Sequence, residues 1–285
     1  MAEVELDVIV TAKVKPPLGY VHRGSGPTLV QVLKLVAPGG KTLDSPCLAY
    51  VVRHPTAGTL LIDTGMHADA ASDLRKEFGL AMSLVFRGIE PASQPFDEQL
   101  RPCGVDPCEA LRVIMTHLHV DHTSAMRLLP EATFVIAREE WEAAHQPRAA
   151  GKGYVGHHLP PESRAELVDF GADGEGYGPF AQTIDLLGDG SVRLVSTPGH
   201  TVGHLSVLLR VAGGREVLVV GDAAYTLRSI EEQILPLFTV SDKRYAATLA
   251  ELNAFADARP EATLVPSHDP AAWRVLARAS EFAGR

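Results

Sequence analysis

Four groups able to bind a metal ion fall within six residues: His117, His119, Asp121 and His122, in the stretch Leu111 to Met126. They follow a short apolar run, Val113 to Met115, of the kind that forms a buried strand. His117 and His119 alternate along an extended segment, so both can point to one side. Asp121 and His122 fall where the chain turns into a helix, which Thr123 is expected to cap and which should run through Met126 and Leu129. One loop can thus feed two adjacent ions, a His pair for the first and an Asp/His pair for the second. Imidazole and carboxylate suit zinc and its first-row neighbours.

The chain around this loop has 285 residues and 46% hydrophobic content, enough to bury a substantial core. A net charge of -9 argues against a protein that binds nucleic-acid phosphates, which usually shows a basic surface. The segment Met1 to Leu6 lacks a positive leader and a long apolar run, so neither a signal peptide nor a membrane span is expected. Cys47, Cys103 and Cys108 are an odd number without a disulfide framework. Cys103 and Cys108 could be read as a redox or zinc pair, but free thiols in a reducing cytoplasm fit better.

The elements that would position the loop alternate between strand and helix patterns. Residues 4 to 14 alternate apolar and polar, with Val4, Leu6, Val8 and Val10 on one face. Pro16-Pro17 ends that strand, and Leu18 to Gly26, with Tyr20 and His22, reads as a loop that could wall a pocket. Val30 to Val36, Cys47 to Arg53 and Thr59 to Ile62 read as strands, the first two separated by a turn at 38 to 40. A helix is expected from Asp69 to Phe78, then an apolar insertion with Met82, Leu84, Val85, Phe86 and Ile89, read mainly as core. Phe134 to Ile136 reads as a strand and Arg138 to His145 as a helix carrying Trp141. Gln146 to Gly178, rich in Gly, Pro and charge, reads as a surface excursion touching the pocket or a subunit contact, with no metal role for His157 and His158. Further strands are expected at Thr183 to Leu187, Val192 to Ser196, Leu205 to Val211, Glu216 to Val220 and Ala262 to Val265, with a helix at Tyr245 to Ala256. Periodicity alone supports only a mixture of α and β.

The pattern His117-x-His119-x-Asp121-His122 after an apolar strand resembles the signature of the metallo-β-lactamase superfamily. Asp63-Thr64-Gly65, Thr197-Pro198-Gly199-His200, Gly221-Asp222 and Pro266-Ser267-His268 each end an apolar run and match the family's other site loops. The resemblance implies one domain over 1–285, an α/β fold of the αβ/βα four-layer sandwich type, two mixed β-sheets flanked by helices. It implies a dinuclear site: His117, His119 and His200 on one ion, Asp121, His122 and His268 on the other, Asp222 bridging. Asp63 would hold the metal-loop histidines by hydrogen bonds. His67 is read as outside the site, His204 as supporting or core, and Asp269 as a solvated turn residue. Two divalent ions are implied, zinc by default, with iron, manganese or cobalt permitted. In two-metal sites the ions lie roughly 3.5–4 Å apart and share a hydroxide, because bound water ionises near pH ~7 instead of about 15.7.

Tyr225, three residues after Asp222, resembles the arrangement of dinuclear N-acyl-homoserine lactonases. There the phenol donates a hydrogen bond towards the substrate carbonyl and can stabilise developing oxyanion charge. The resemblance therefore implies a quorum-quenching lactonase, with Asp121 and Tyr225 as catalytic groups and Asp121 returning a proton to the leaving oxygen. Other ester hydrolases of the same fold, acting on a phosphotriester or a glutathione thioester, remain alternatives. The thioester enzymes carry a basic C-terminal recognition region, whereas only Arg274, Arg278 and Arg285 stand here. A β-lactamase is disfavoured by Asp at 222, where a secreted class has Cys. A diiron oxygen reductase would show Glu in place of His119, and a flavin domain. A non-catalytic metal-binding module is a further alternative, although structural zinc sites are usually closed four-ligand cages. The expected partners are a small lactone or ester, with no nucleic acid, no membrane and room for a homodimer.

Overall fold

The computed structural model describes residues 2–35, 39–83 and 89–276. Thirteen strands are described: β1 (Glu5–Val14), β2 (Ser45–His54), β3 (Gly58–Ile62), β4 (Glu90–Pro91), β5 (Arg112–Ile114), β6 (Thr133–Ala137), β7 (Ala165–Val168), β8 (Glu175–Tyr177), β9 (Phe180–Asp185), β10 (Val192–Ser196), β11 (Leu205–Val211), β12 (Arg215–Gly221) and β13 (Thr263–Pro266). They form a seven-stranded sheet, ordered β4-β1-β2-β3-β5-β6-β7, and a six-stranded sheet, ordered β13-β12-β11-β10-β9-β8. Both are mixed: β3, β5, β6 and β7 run parallel, as do β12 and β13, and the remaining pairs are antiparallel.

Period-two alternation puts an apolar face on each side of each sheet. Leu48, Tyr50, Val52, Leu60, Ile62, Ile114 and Val135 meet Leu194, Leu205, Val207, Leu209, Val217, Val219 and Val265 between the sheets. The opposite face of the first sheet, with Val51, Leu61, Val113, Phe134 and Ile136, packs under Phe96, Leu100, Met126 and Trp141. The opposite face of the second, with Val195, Leu208, Leu218 and Val220, packs under Tyr245, Leu249, Leu252 and Phe255 of the helix Asp242–Ala258. Those four residues recur at helical spacing, and the Ser241 hydroxyl caps the helix by accepting from Arg244 N. Two sheets face to face with helices outside make the expected αβ/βα sandwich.

The C-terminal ends of the strands gather at one edge. β3 and β5 are parallel, so Asp63 and Thr116 leave on the same side. β10 and β12 are each antiparallel to β11, and β13 is parallel to β12, so all three also end together. The Leu205 N–H donates to the Thr116 carbonyl at 2.8 Å and ties the second sheet to the first at this edge. Ligands of open α/β sheets bind outside such ends.

Several expectations are corrected. Val30 to Val36 is no strand: Thr28–Leu35 is a helix, because the Pro27 carbonyl accepts from Val30 N and Gln31 N and opens a helical turn. A short apolar run fits either period. Val36 and Pro38 lie outside the described residues, as do Leu84, Val85 and Phe86 of the apolar insertion and Arg278 and Arg285. The expected helix Asp69 to Phe78 is a short 3-10 turn, Ala68–Ala71, followed by the helix Leu74–Ser83. Leu18 to Gly26 contains a one-turn helix, Leu18–Val21. The surface excursion from Gln146 contains β7 and β8.

Candidate metal centre

The helical turn after β5 starts four residues earlier than expected and ends before Met126 and Leu129, where Met126–Leu128 forms a separate 3-10 turn. The helical turn spans Val120–Thr123 with His119 as N-cap, so Thr123 lies inside the helix rather than capping it. Asp121 and His122 therefore stand in its first turn and His117 and His119 precede it. Their loop meets those carrying His200, Asp222 and His268, and two groups of donors result: His117, His119 and His200, and Asp121, His122, Asp222 and His268. Within each, the donor atoms all lie within 4.8 Å of one another.

Asp222 stands between the groups. Its Oδ2 lies 3.3 Å from His200 Nε2 and 3.9 Å from His117 Nε2, while its Oδ1 lies 3.4 Å from His122 Nε2 and 3.5 Å from His268 Nε2. Asp121 Oδ2 is 3.5 Å from His268 Nε2 and 3.8 Å from His122 Nε2. Two donors about 2.1 Å from a tetrahedral ion are separated by about 3.4 Å, so most of these spacings fit a shared cation. His117 Nε2 and Asp222 Oδ1 are buried without any hydrogen-bond partner among the described residues. Such orphans cost about 1–3 kcal/mol each unless something pairs with them. The donor set and these orphaned atoms fit two divalent ions.

Burial and neighbouring charge set the protonation. Burial, then the neighbouring His122 and His119, hold His117 well below the usual imidazole range, and burial brings His200 down to about 3. Burial also lowers His119. Burial opposes a charge on His268, but Asp222 and Asp121 outweigh it and raise that ring to about 10. His122 is likewise raised well above its ordinary value, by Asp63 and Asp121 against burial. Burial would raise Asp222, yet His268, His122 and His200 hold it well below the usual carboxylate range.

Hydrogen bonds orient the donor side chains, and those accepted by Asp63 were expected. Asp63 accepts from Thr116 N and Thr116 Oγ1, both at 2.8 Å, and from His122 Nδ1 at 2.7 Å. It holds a left-handed backbone, φ 54°, costing about 1–2 kcal/mol. Charge-assisted hydrogen bonds worth about 1.5–3 kcal/mol each outweigh that cost. His268 Nδ1 donates to the Pro46 carbonyl at 3.2 Å, which directs Nε2 to the centre. His204 is supporting, as read: Asp222 N donates to its Nε2 at 2.9 Å, so Nδ1 carries the proton and donates to Thr197 Oγ1 at 2.9 Å. Gly221, at φ 63°, lets this ring approach, since a Cβ there would lie 2.7 Å from His204 Nε2. His67 lies outside both groups. Asp269 is corrected: it is buried, and its carboxylate accepts from Leu227 N, Ala271 N and Ala272 N at 2.9 to 3.0 Å.

Sequence reasoning missed Glu140 and Tyr154. The buried Glu140 carboxylate accepts from Leu118 N at 3.0 Å and Gly203 N at 3.1 Å, pinning the loop of His117 and His119 to that of His200. Its only signal was its place beside Trp141 on the buried face of the helix Arg138–Ala144. Tyr154 packs against the His119 ring, centroids 5.2 Å apart.

A cavity of about 410 Å³ opens over the centre. His119, Asp121, His200, Asp222 and His268 floor it; Val14, Pro16, Pro17, Val21, Phe238 and Val240 give apolar walls. Tyr20 and Tyr225 stack beside the floor, centroids 6.0 Å apart, which bears out Leu18 to Gly26 as a wall. Tyr225 OH lies 3.4 Å from His200 Nδ1, and burial, with Tyr20 and Asp222 nearby, keeps the phenol protonated far above its ordinary range.

Residues 43–268 match the family model of the metallo-beta-lactamase superfamily, and the chain belongs to that superfamily. Among curated relatives, it is 33% identical over 255 residues to the N-acyl homoserine lactonase AttM of Agrobacterium fabrum (strain C58), covering 89% of this chain and 93% of that protein. It is 26% identical over 200 residues to the N-acyl homoserine lactonase AiiA of Bacillus thuringiensis subsp. kurstaki, covering 68% and 70%. A crystal structure of a B. thuringiensis AiiA mutant with N-decanoyl-L-homoserine at its active site superposes with a TM-score of 0.71 at 21% identity, covering 99% and 97%. The dizinc quorum-quenching lactonase AidC, with a product bound, superposes at 0.61 with 13% identity, covering 94% and 88%.

Proposed function

We propose that the chain, acting as one domain, is a metal-dependent hydrolase that opens the lactone ring of N-acyl-homoserine lactones. The cavity carries this reading: a polar floor of ligand atoms and phenols beneath apolar walls suits a small polar ring with an apolar tail. The likeness to AttM over most of both chains supports it.

His117, His119 and His200 would hold one ion, Asp121, His122 and His268 the other, and Asp222 both, with zinc the default and iron, manganese or cobalt permitted. Two bound ions would supply a water-derived nucleophile near pH ~7 and polarise the ester. With Nε2 committed to an ion, His200 keeps its proton on Nδ1 and donates it to the Tyr225 oxygen. The phenolic proton is then free to donate to the substrate carbonyl as negative charge builds there. Asp121, held below its ordinary value by His122 and His268 against burial, starts ionised, takes a proton and returns it to the leaving alkoxide. Apolar residues around Phe238 and Val240 receive the acyl chain.

Three free cysteines support a reducing, cytoplasmic setting, and no described helix is long and apolar enough to cross a membrane. Leu29, Val30 and Leu33 form an exposed apolar row that suits a homodimer contact.

The test is hydrolysis of a short- and a long-chain N-acyl-homoserine lactone by metal-loaded protein, with the ring-opened acid identified by mass. The reading expects kcat/KM above ~10⁴ M⁻¹s⁻¹. No turnover of either lactone with two metals bound would move the function to a phosphotriester or glutathione thioester, run in parallel.

A further inference from the structure

A second cluster of ligand groups lies apart from the centre and shares no residue with it: Glu77, His157 and His158. The side chains of Glu77 and His158 are wholly buried, and Glu77 Oε2 lies 3.4 Å from His158 Nε2. The three donor atoms lie within 4.8 Å of one another. His158 Nε2 has no hydrogen-bond partner among the described residues and points at the Glu77 carboxylate.

Charge and protonation define what would fit. Arg127 Nη1 reaches Glu77 Oε1 at 3.0 Å, but Arg127 Nη2 also reaches Asp69 Oδ2 at 3.3 Å. Glu77 Oε2, the oxygen that faces His158, takes only a long hydrogen bond from Ser124 Oγ at 3.4 Å, while Arg127 reaches the other oxygen. Burial, then His157, lowers His158 to about 4, so at neutral pH the ring is a neutral imidazole and brings no charge of its own to that oxygen. Its Nδ1 lies 3.3 Å from Thr123 Oγ1. Thr123 Oγ1 also donates to the His119 carbonyl at 3.1 Å, so the Nδ1–H can donate to the threonine oxygen and leave Nε2 with a lone pair. A lone pair then faces a carboxylate oxygen at about the 3.4 Å edge of a tetrahedral zinc site. The exposed His157 completes two imidazoles and one carboxylate and leaves room for water.

We propose that Glu77, His157 and His158 form a third cation site, which takes a divalent first-row transition ion such as zinc. Nitrogen-rich ligation of this kind disfavours calcium and magnesium. The ion joins the helix Leu74–Ser83 to the segment just after Gly151–Tyr154, which walls the cavity and pairs Tyr154 with His119. It thereby fixes the pocket wall without touching substrate.

Zinc is the probe. The zinc-loaded full chain is crystallised and mapped by anomalous scattering at the zinc edge, and zinc per chain is measured for wild type and His157→Ala. His157 is exposed, so its truncation leaves the core intact. The proposal expects an anomalous peak between Glu77 Oε2 and His158 Nε2, and one zinc fewer per chain in the variant. Peaks at Asp222 with none at Glu77 would overturn it and assign Glu77 and His158 to a buried hydrogen bond. An unchanged zinc count in His157→Ala would overturn it equally. Neither readout depends on which ester the enzyme cleaves.

Discussion

The two halves of the centre share a carboxylate but differ in electrostatics. His117, His119 and His200 are held below the ordinary imidazole range, with burial the leading cause. His122 and His268 are equally buried, yet Asp63, Asp121 and Asp222 outweigh burial and raise both. The first half therefore presents lone pairs ready for a cation. The second holds protons that a cation must displace, so its filling is coupled to proton release.

The largest effect should come from Asp222→Ala, which touches both halves. Metal content should fall at each, and kcat/KM should drop by more than the ~10–100-fold that outer residues cost. Full metal binding with turnover retained would end the bridged description. Next comes Tyr225→Phe, expected to lower kcat by roughly 10²–10³, as for loss of one oxyanion donor, with metal content unchanged. Unaltered turnover would leave Tyr225 as packing. Asp63→Asn should weaken the ion of the second half by ~10–100-fold and spare the first, read by chelator competition. Equal weakening of both would erase the distinction between the halves.

The smallest effect is a pair of opposite pH dependences in metal-free protein. His268 is raised from 6.5 to about 10, so its stabilising contribution is full below pH 6.5 and is lost as pH rises through about 10. His200 is lowered from 6.5 to about 3, so its contribution is present above pH 6.5 and is lost as pH falls through about 3. The Tm gap between wild type and His268→Gln should shrink on the alkaline side, and that for His200→Gln on the acid side. Gaps that shrink on the same side would contradict the comparison.

Most of this was legible because strand ends carry the chemistry. Apolar runs ending at Asp63, His117, His200, Asp222 and His268 signalled strands and site loops, while the sandwich layering came from the family resemblance those loops carry. Thr28–Leu35 was misread because a short apolar run fits either period, and nothing within it declares the Pro27 carbonyl an acceptor. Glu140 was invisible because its role is to accept from Leu118 N and Gly203 N, one of them 63 positions away. Asp269 looked solvated because its capping of Leu227 depends on tertiary approach. Glu77 and His158 meet only through folding, with no local spacing to pair them.

The bond from Leu205 N to the Thr116 carbonyl has a consequence for how the protein matures. The first sheet's loop alone offers His117, His119, Asp121 and His122; His200, Asp222 and His268 arrive only with the second sheet. The proposed ligand sets of both ions come together only when the two sheets have docked along that seam. Contacts so distant in sequence form slowly, because loop closure must precede them. Metal bound by the assembled sets would favour the docked state by mass action. Newly made chains starved of metal would linger with an open seam, exposed to proteases at the edge where the enzyme will later work.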